Sequence, residues 1–190
     1  GEDISNTLSF TIQENIEYVV SAEFNKDKVA SLGTIEVNKI SGNTGSSLSL
    51  TPSDFTTTNI EISSVESSYC YNEEGKIRVS SGNNGGSITF NLDKKYLITS
   101  VKLYAENYHS DSSNVKLSIG DETISKPLEE VLTYNISYPL EVNKFTFSSS
   151  PKNRFIINKV EVEINGEGEG EDTSPTDKEA TIKVTKTGQG

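Results

Sequence analysis

The clearest signal along the chain is alternation of apolar and polar residues with period two, the mark of a strand with one face buried. Residues 8–12 alternate in this way, with Leu8, Phe10 and Ile12 on one side. So do residues 88–92, 101–105, 115–119 and 160–164, the last with glutamates on its outer face, and residues 145–147 form a shorter copy. Weaker strand patterns lie at 35–37, 48–50, 60–62, 77–79 and 136–140. Clusters of glycine, asparagine, serine and proline separate these segments, at 41–45, 81–86, 120–121 and 148–151. No long helical pattern is available to carry parallel crossovers, so the expected fold is all-β, an antiparallel sandwich with jelly-roll-like character. Residues 16–32 fit two readings. Ile16, Val19, Val20 and Phe24 share a helical face, and Tyr18, Val20, Ala22 and Phe24 share a strand face, so one short helix near the N-terminus stays open. A single helical turn after Ser125, with Pro127 near its start, also stays open.

Composition agrees with the pattern: valine, isoleucine and threonine number 48 of 190 residues, against 15 for alanine and leucine. Two boundaries are expected. Residues 1–45 form N-terminal strands or an extension, residues 46–165 the sandwich module, and residues 166–190 an acidic Gly/Glu linker or tail with one strand-like segment at 180–185. The chain contains no methionine, even at position 1, and is expected to be a processed product with Gly1 left by cleavage. No window is apolar enough for a membrane span or a signal-peptide core. Serine, threonine and asparagine make up 62 residues, a surface common in exported β proteins, so a secreted or surface-anchored location is expected.

Charge and residue type narrow the chemistry. The net charge of −11 repels phosphate backbones and argues against nucleic acid as a partner. One cysteine, Cys70, and one histidine, His109, leave no spare members for a disulfide, a zinc cluster or a Ser-His-Asp triad. The adjacent acid pairs Glu73-Glu74, Asp121-Glu122 and Glu129-Glu130 do not make an acid and base for glycoside hydrolysis, because neighbours on a strand point to opposite faces. An enzyme is therefore not expected. No cofactor is required either; calcium would have only Asp111 with Asn114 and the Asp121 loop to use, and no EF-hand spacing occurs. Cys70 reads as a small buried hydrophobe.

Two clusters suit a polyhydroxylated ligand. Tyr104, Tyr108, His109 and Asp111 leave a strand and enter a polar loop, combining aromatic faces with hydrogen-bonding groups. Tyr69, Tyr71 and Arg78 form the second, in which Arg78 either clamps a ligand or ties a loop to the sandwich, while Arg154, directly before the last strand, reads as structural.

Three stretches carry a resemblance: residues 48–55 (LSLTPSDF), the tyrosine-rich approach 69–72 with 76–79 and the glycine turn into 86–90, and the ending 154–162 (RFIINKVEV). Together they resemble a recurring β-sandwich module of secreted Bacteroidetes and Firmicutes proteins, without settled function, found beside nucleases, glycan-processing domains or immunoglobulin-like repeats. The resemblance implies an accessory module and carries no catalytic residue over. The expected function is a non-catalytic exported module that binds an extracellular glycan or supports a neighbouring domain or surface protein. The rival is a structural or adhesive subunit, pilin-like or fibre-forming, that donates residues 8–12 or 181–184 to another chain's sheet edge.

Overall fold

A computed structural model describes residues 30–109 and 114–165 of the chain. The segment at 8–12, residues 16–29 of the ambiguous stretch, Asp111 and the acidic tail with its strand-like segment lie outside the described residues. Ten strands follow one another: β1 (Ala30–Val37), β2 (Phe55–Thr58), β3 (Ile62–Ser68), β4 (Cys70–Glu73), β5 (Lys76–Val79), β6 (Gly86–Asn107), β7 (Asn114–Ile119), β8 (Glu122–Pro127), β9 (Val131–Ser149) and β10 (Phe155–Asn165). Every strand pairing among the described residues is antiparallel, and the one helical element is a short 3-10 turn at Pro52–Asp54.

Two strands are far longer than their neighbours, and they define the architecture. The second half of β6 pairs with β10 and with the first half of β9, while β1 and β2 extend that layer beyond β10. The first half of β6 pairs with β3 and with the second half of β9, which continues through β7 to β8. The layers are folded face to face. Tyr134 and Phe147 both belong to β9 and would stand about 43 Å apart on a straight strand, yet their ring centroids are 6.1 Å apart. Phe55 of β2 likewise meets Phe90 of β6 edge-on at 5.2 Å. Irregularities in the β6–β9 register between Asn91 and Tyr96 and between Ile98 and Ser100 mark where β6 turns from one layer into the other. The sandwich encloses a core of Ile35, Phe90, Leu103, Leu117, Tyr134, Phe145, Phe155 and Val160, all fully buried.

β10 exchanges partners along its length. Residues 155–157 pair with β5, residues 159–165 pair with β1, and the bulge falls at the change, between Ile157 and Lys159. This places the β4–β5 hairpin end to end with β1 on one edge of β10. Glu74 and Gly75 close the hairpin with φ of 53° and 88°, the left-handed pair of a tight two-residue turn. Asn72, almost fully buried, holds the preceding loop to it: its amide donates to the carbonyls of Ser41 and Gly42, and its carbonyl oxygen accepts from the Gly75 N–H.

Three local expectations are corrected. No helical turn follows Ser125, because residues 122–127 continue as β8 with an alternating side-chain pattern. Residues 48–50 are not a strand. Ser47 bridges Tyr71 and the Leu48 N–H donates to the Cys70 carbonyl, after which the turn at Pro52–Asp54 redirects the chain. The strand expected at 60–62 starts only at Ile62. Residues 30–32 of the ambiguous stretch belong to β1, which pairs with β10 inside the sandwich.

Candidate functional site

The outer face of the β6–β10 layer holds a contiguous set of aromatic and charged side chains. On β4 and β5, Tyr71 stands directly opposite Arg78, and Arg78 stands opposite Ile156 of β10, which in turn faces Glu106 of β6. One row of outward side chains thus crosses four strands. One step along, the Tyr108 N–H bonds the Arg154 carbonyl at 3.4 Å, which aligns these two side chains beside that row.

Ring and guanidinium alternate here. The Arg78 guanidinium lies 4.8 Å from the Tyr71 ring centre and 4.5 Å from that of Tyr108, and the Arg154 guanidinium lies 4.5 Å from the same Tyr108 ring. The His109 ring centre is 4.1 Å from that of Tyr108, the two rings tilted by 60°. Both arginines of the chain and its single histidine therefore converge on one tyrosine. Each such contact is worth about 0.5–2 kcal/mol depending on desolvation, and it restricts where the guanidinium group can lie. Arg78 is 9% exposed, and its Nε lies 3.2 Å from Glu73 Oε2 without the alignment of a hydrogen bond. Glu73, which reads from sequence as one of a solvated acid pair, is instead tucked beside this arginine.

The two sequence clusters are therefore one in part. Tyr71 and Arg78 from the second meet Tyr108 and His109 from the first. Tyr69 stays apart: it is half exposed, its φ is 50°, and its carbonyl accepts from the Ser80 N–H at the end of β5. Tyr104 lies on the same outer face but further along β6, where its hydroxyl donates to Glu161 Oε2 at 2.9 Å and the Lys159 ammonium stands 5.4 Å from its ring centre. That bond to Glu161 raises the Tyr104 hydroxyl above its ordinary range. Lys159, at 2.9 Å from Glu161 Oε1, lowers the Glu161 carboxyl, and the Lys76 ammonium with the Asn158 amide lowers Glu106.

Arg154, Glu73, Glu106, Lys159 and Glu161 are members that sequence reasoning missed. The available signal was the charged outer side of residues 160–164, whose position beside Tyr104 depends on pairing with β6. The face offers fixed donors and acceptors around partly covered rings. Among the described residues no three histidine, cysteine or acidic side chains gather as a metal-binding group, and no helix is long and apolar enough to cross a membrane. Asn114 and Asp121 stand at opposite ends of β7, in its first residue and in the turn after it.

No protein-family model matches the chain, and no curated protein matches it. Among solved structures it is similar to a low-affinity xylan-binding module, CBM86, from the xylanolytic gut symbiont Roseburia intestinalis. The two are 10% identical, the match covers 72% of this chain and 96% of that chain, and the TM-score is 0.41. The site is accordingly read from its own geometry.

Proposed function

We propose that the chain is a non-catalytic, exported, jelly-roll-like module that binds glycan on the outer face of the β6–β10 layer, as an accessory to a neighbouring domain. The observation that carries this reading is the convergence of Tyr71, Arg78, Tyr108 and Arg154 on one partly buried strip of the outer face. A sugar presents hydroxyl pairs that need polar partners, and C–H faces that need apolar or aromatic cover; tyrosine hydroxyls, ring margins and the charged side chains around them supply both. Because the rings of Tyr71 and Tyr108 already stack on arginine, recognition rests more on hydrogen bonding than on open-faced stacking. Affinity electrophoresis in gels containing soluble xylan, mixed-linkage β-glucan, galactomannan or polygalacturonate tests it. The expected result is retardation of the wild-type chain by at least one polysaccharide, and its loss in Tyr108→Ala with the far-ultraviolet circular dichroism unchanged. Migration equal to that of an inert control in every gel rejects glycan binding.

A further inference from the structure

The strip continues beyond the tyrosine–arginine stack. Every second residue from Ser100 to the end of β6 faces outward, Ser100, Lys102, Tyr104 and Glu106, and Tyr108 follows just past the strand. At the far end, between β1, β10 and β6, lies a groove of about 280 Å³ lined by Leu32, Ser100, Lys102, Glu161 and Glu163 together with Ala30 and Ser31. Its polar walls are pre-set. The Ser100 hydroxyl donates to Glu163 Oε2 at 2.9 Å, and Glu161 is held between Lys159 and the Tyr104 hydroxyl. Leu32 is 46% exposed at the rim, an apolar surface beside acceptors and one ammonium.

We infer that this groove is a second subsite of the same glycan-binding face, so that a linear, uncharged polysaccharide lies along β6 from Tyr108 to Ser100. The inference rests on the glycan-binding reading given above. The eight residue steps from Ser100 to Tyr108 span about 26 Å in extended backbone, room for several linked sugar rings rather than one terminal residue. The charge pattern selects an uncharged chain. Cations and carboxylates are interleaved along the strip as Arg78 with Glu73, Lys76 with Glu106, and Lys159 with Glu161 and Glu36. A polyuronate would meet the groove's two carboxylates and a molecule of net charge −11. Neutral hydroxyls can donate to Glu161 and Glu163 and accept from Lys102, while Leu32 covers a C–H face.

Isothermal titration with the disaccharide and hexasaccharide of whichever polysaccharide retards the chain tests the inference. The wild type is expected to bind the hexasaccharide far more tightly than the disaccharide. Lys102→Ala and Leu32→Asp, both at solvent-facing positions, are each expected to weaken hexasaccharide binding at least fivefold and to remove most of the gain with length. Two results overturn the inference while glycan binding stands: hexasaccharide affinity equal to wild type in both variants, or stronger retardation by polygalacturonate than by every neutral polysaccharide. Absence of retardation by all four polysaccharides rejects the glycan-binding reading and this inference with it.

Discussion

Phe90 offers the most direct check on the two-layer packing. It lies on β6 within the second layer, is fully buried, and touches Phe55 from the opposite layer at 5.2 Å and Phe145 of β9 at 5.4 Å. Replacing it with alanine removes a whole ring from a close-packed interior, for which about 3–5 kcal/mol is typical. The two ring contacts, each worth about 1 kcal/mol beyond area, place the expectation near the middle of that range, at about 4 kcal/mol. For a packed unit of this size that corresponds to a fall in Tm of roughly 15 °C. Thr89, next in sequence, is the control. Its side chain points to the other face, where its hydroxyl meets that of Thr146 at 2.8 Å, so Thr89→Ala should cost only about 1 kcal/mol. Guanidinium chloride unfolding followed by circular dichroism measures both, with the slope m expected to stay constant. Similar losses at the two positions would refute the assigned register and the one-sided burial of β6, since a one-residue slip exchanges the faces of a strand.

A Cβ at Gly86 would fall 2.4 Å from the Ser80 backbone nitrogen, whereas one at Gly82 meets nothing within 4 Å; Gly86→Ala should lower Tm by more than 10 °C and Gly82→Ala by less than about 2 °C, as read by calorimetry. Burial pushes the Cys70 thiol up to about 12, so iodoacetamide at pH 8 should leave it unmodified in the native protein and alkylate it fully in denaturant, as mass spectrometry would report. Glu161 is held below its ordinary value of 4.5, first by Lys159, and a depressed carboxyl contributes stability above its unfolded value that disappears as pH falls through the folded one. Wild type should therefore exceed Glu161→Gln in Tm at pH 6 and lose that margin progressively as the pH falls below 4.5 and through the lowered folded value.

Strand identity was readable wherever burial is one-sided. Residues 101–105, 115–119 and 160–164 alternate because one face meets the core, and all three are strands. The length of β6 and β9 was not readable, because each turns a corner without ending and its burial pattern is broken there by exposed residues such as Asp93 to Lys95 and Ser137 to Pro139. The candidate site was legible by residue type and not by assembly. Tyr71, Arg78, Tyr108 and His109 stood out as chemistry, yet their meeting depends on β5 pairing with β10 and β10 with β6, pairings between segments distant in sequence. Arg154 read as a structural residue, since nothing near it in sequence announces the Tyr108 ring it covers. The turn at 120–121 was legible locally: Gly120 takes the first central position with φ of 55°, as a two-residue hairpin requires.

Because β6 and β9 each run through both layers, neither layer can detach while the other stays folded. Fraying one face of the sandwich would break hydrogen bonds on strands that also carry the opposite face, so local openings that free a single sheet are suppressed and the unit melts as one cooperative body. The assembly order carries a kinetic cost. β1 pairs with β2 nearby but is joined to the rest of the sandwich through β10, near its far end, so closing the fold waits on contacts between segments distant in the chain, and refolding is expected in the slow range of β proteins rather than the microseconds of helical bundles.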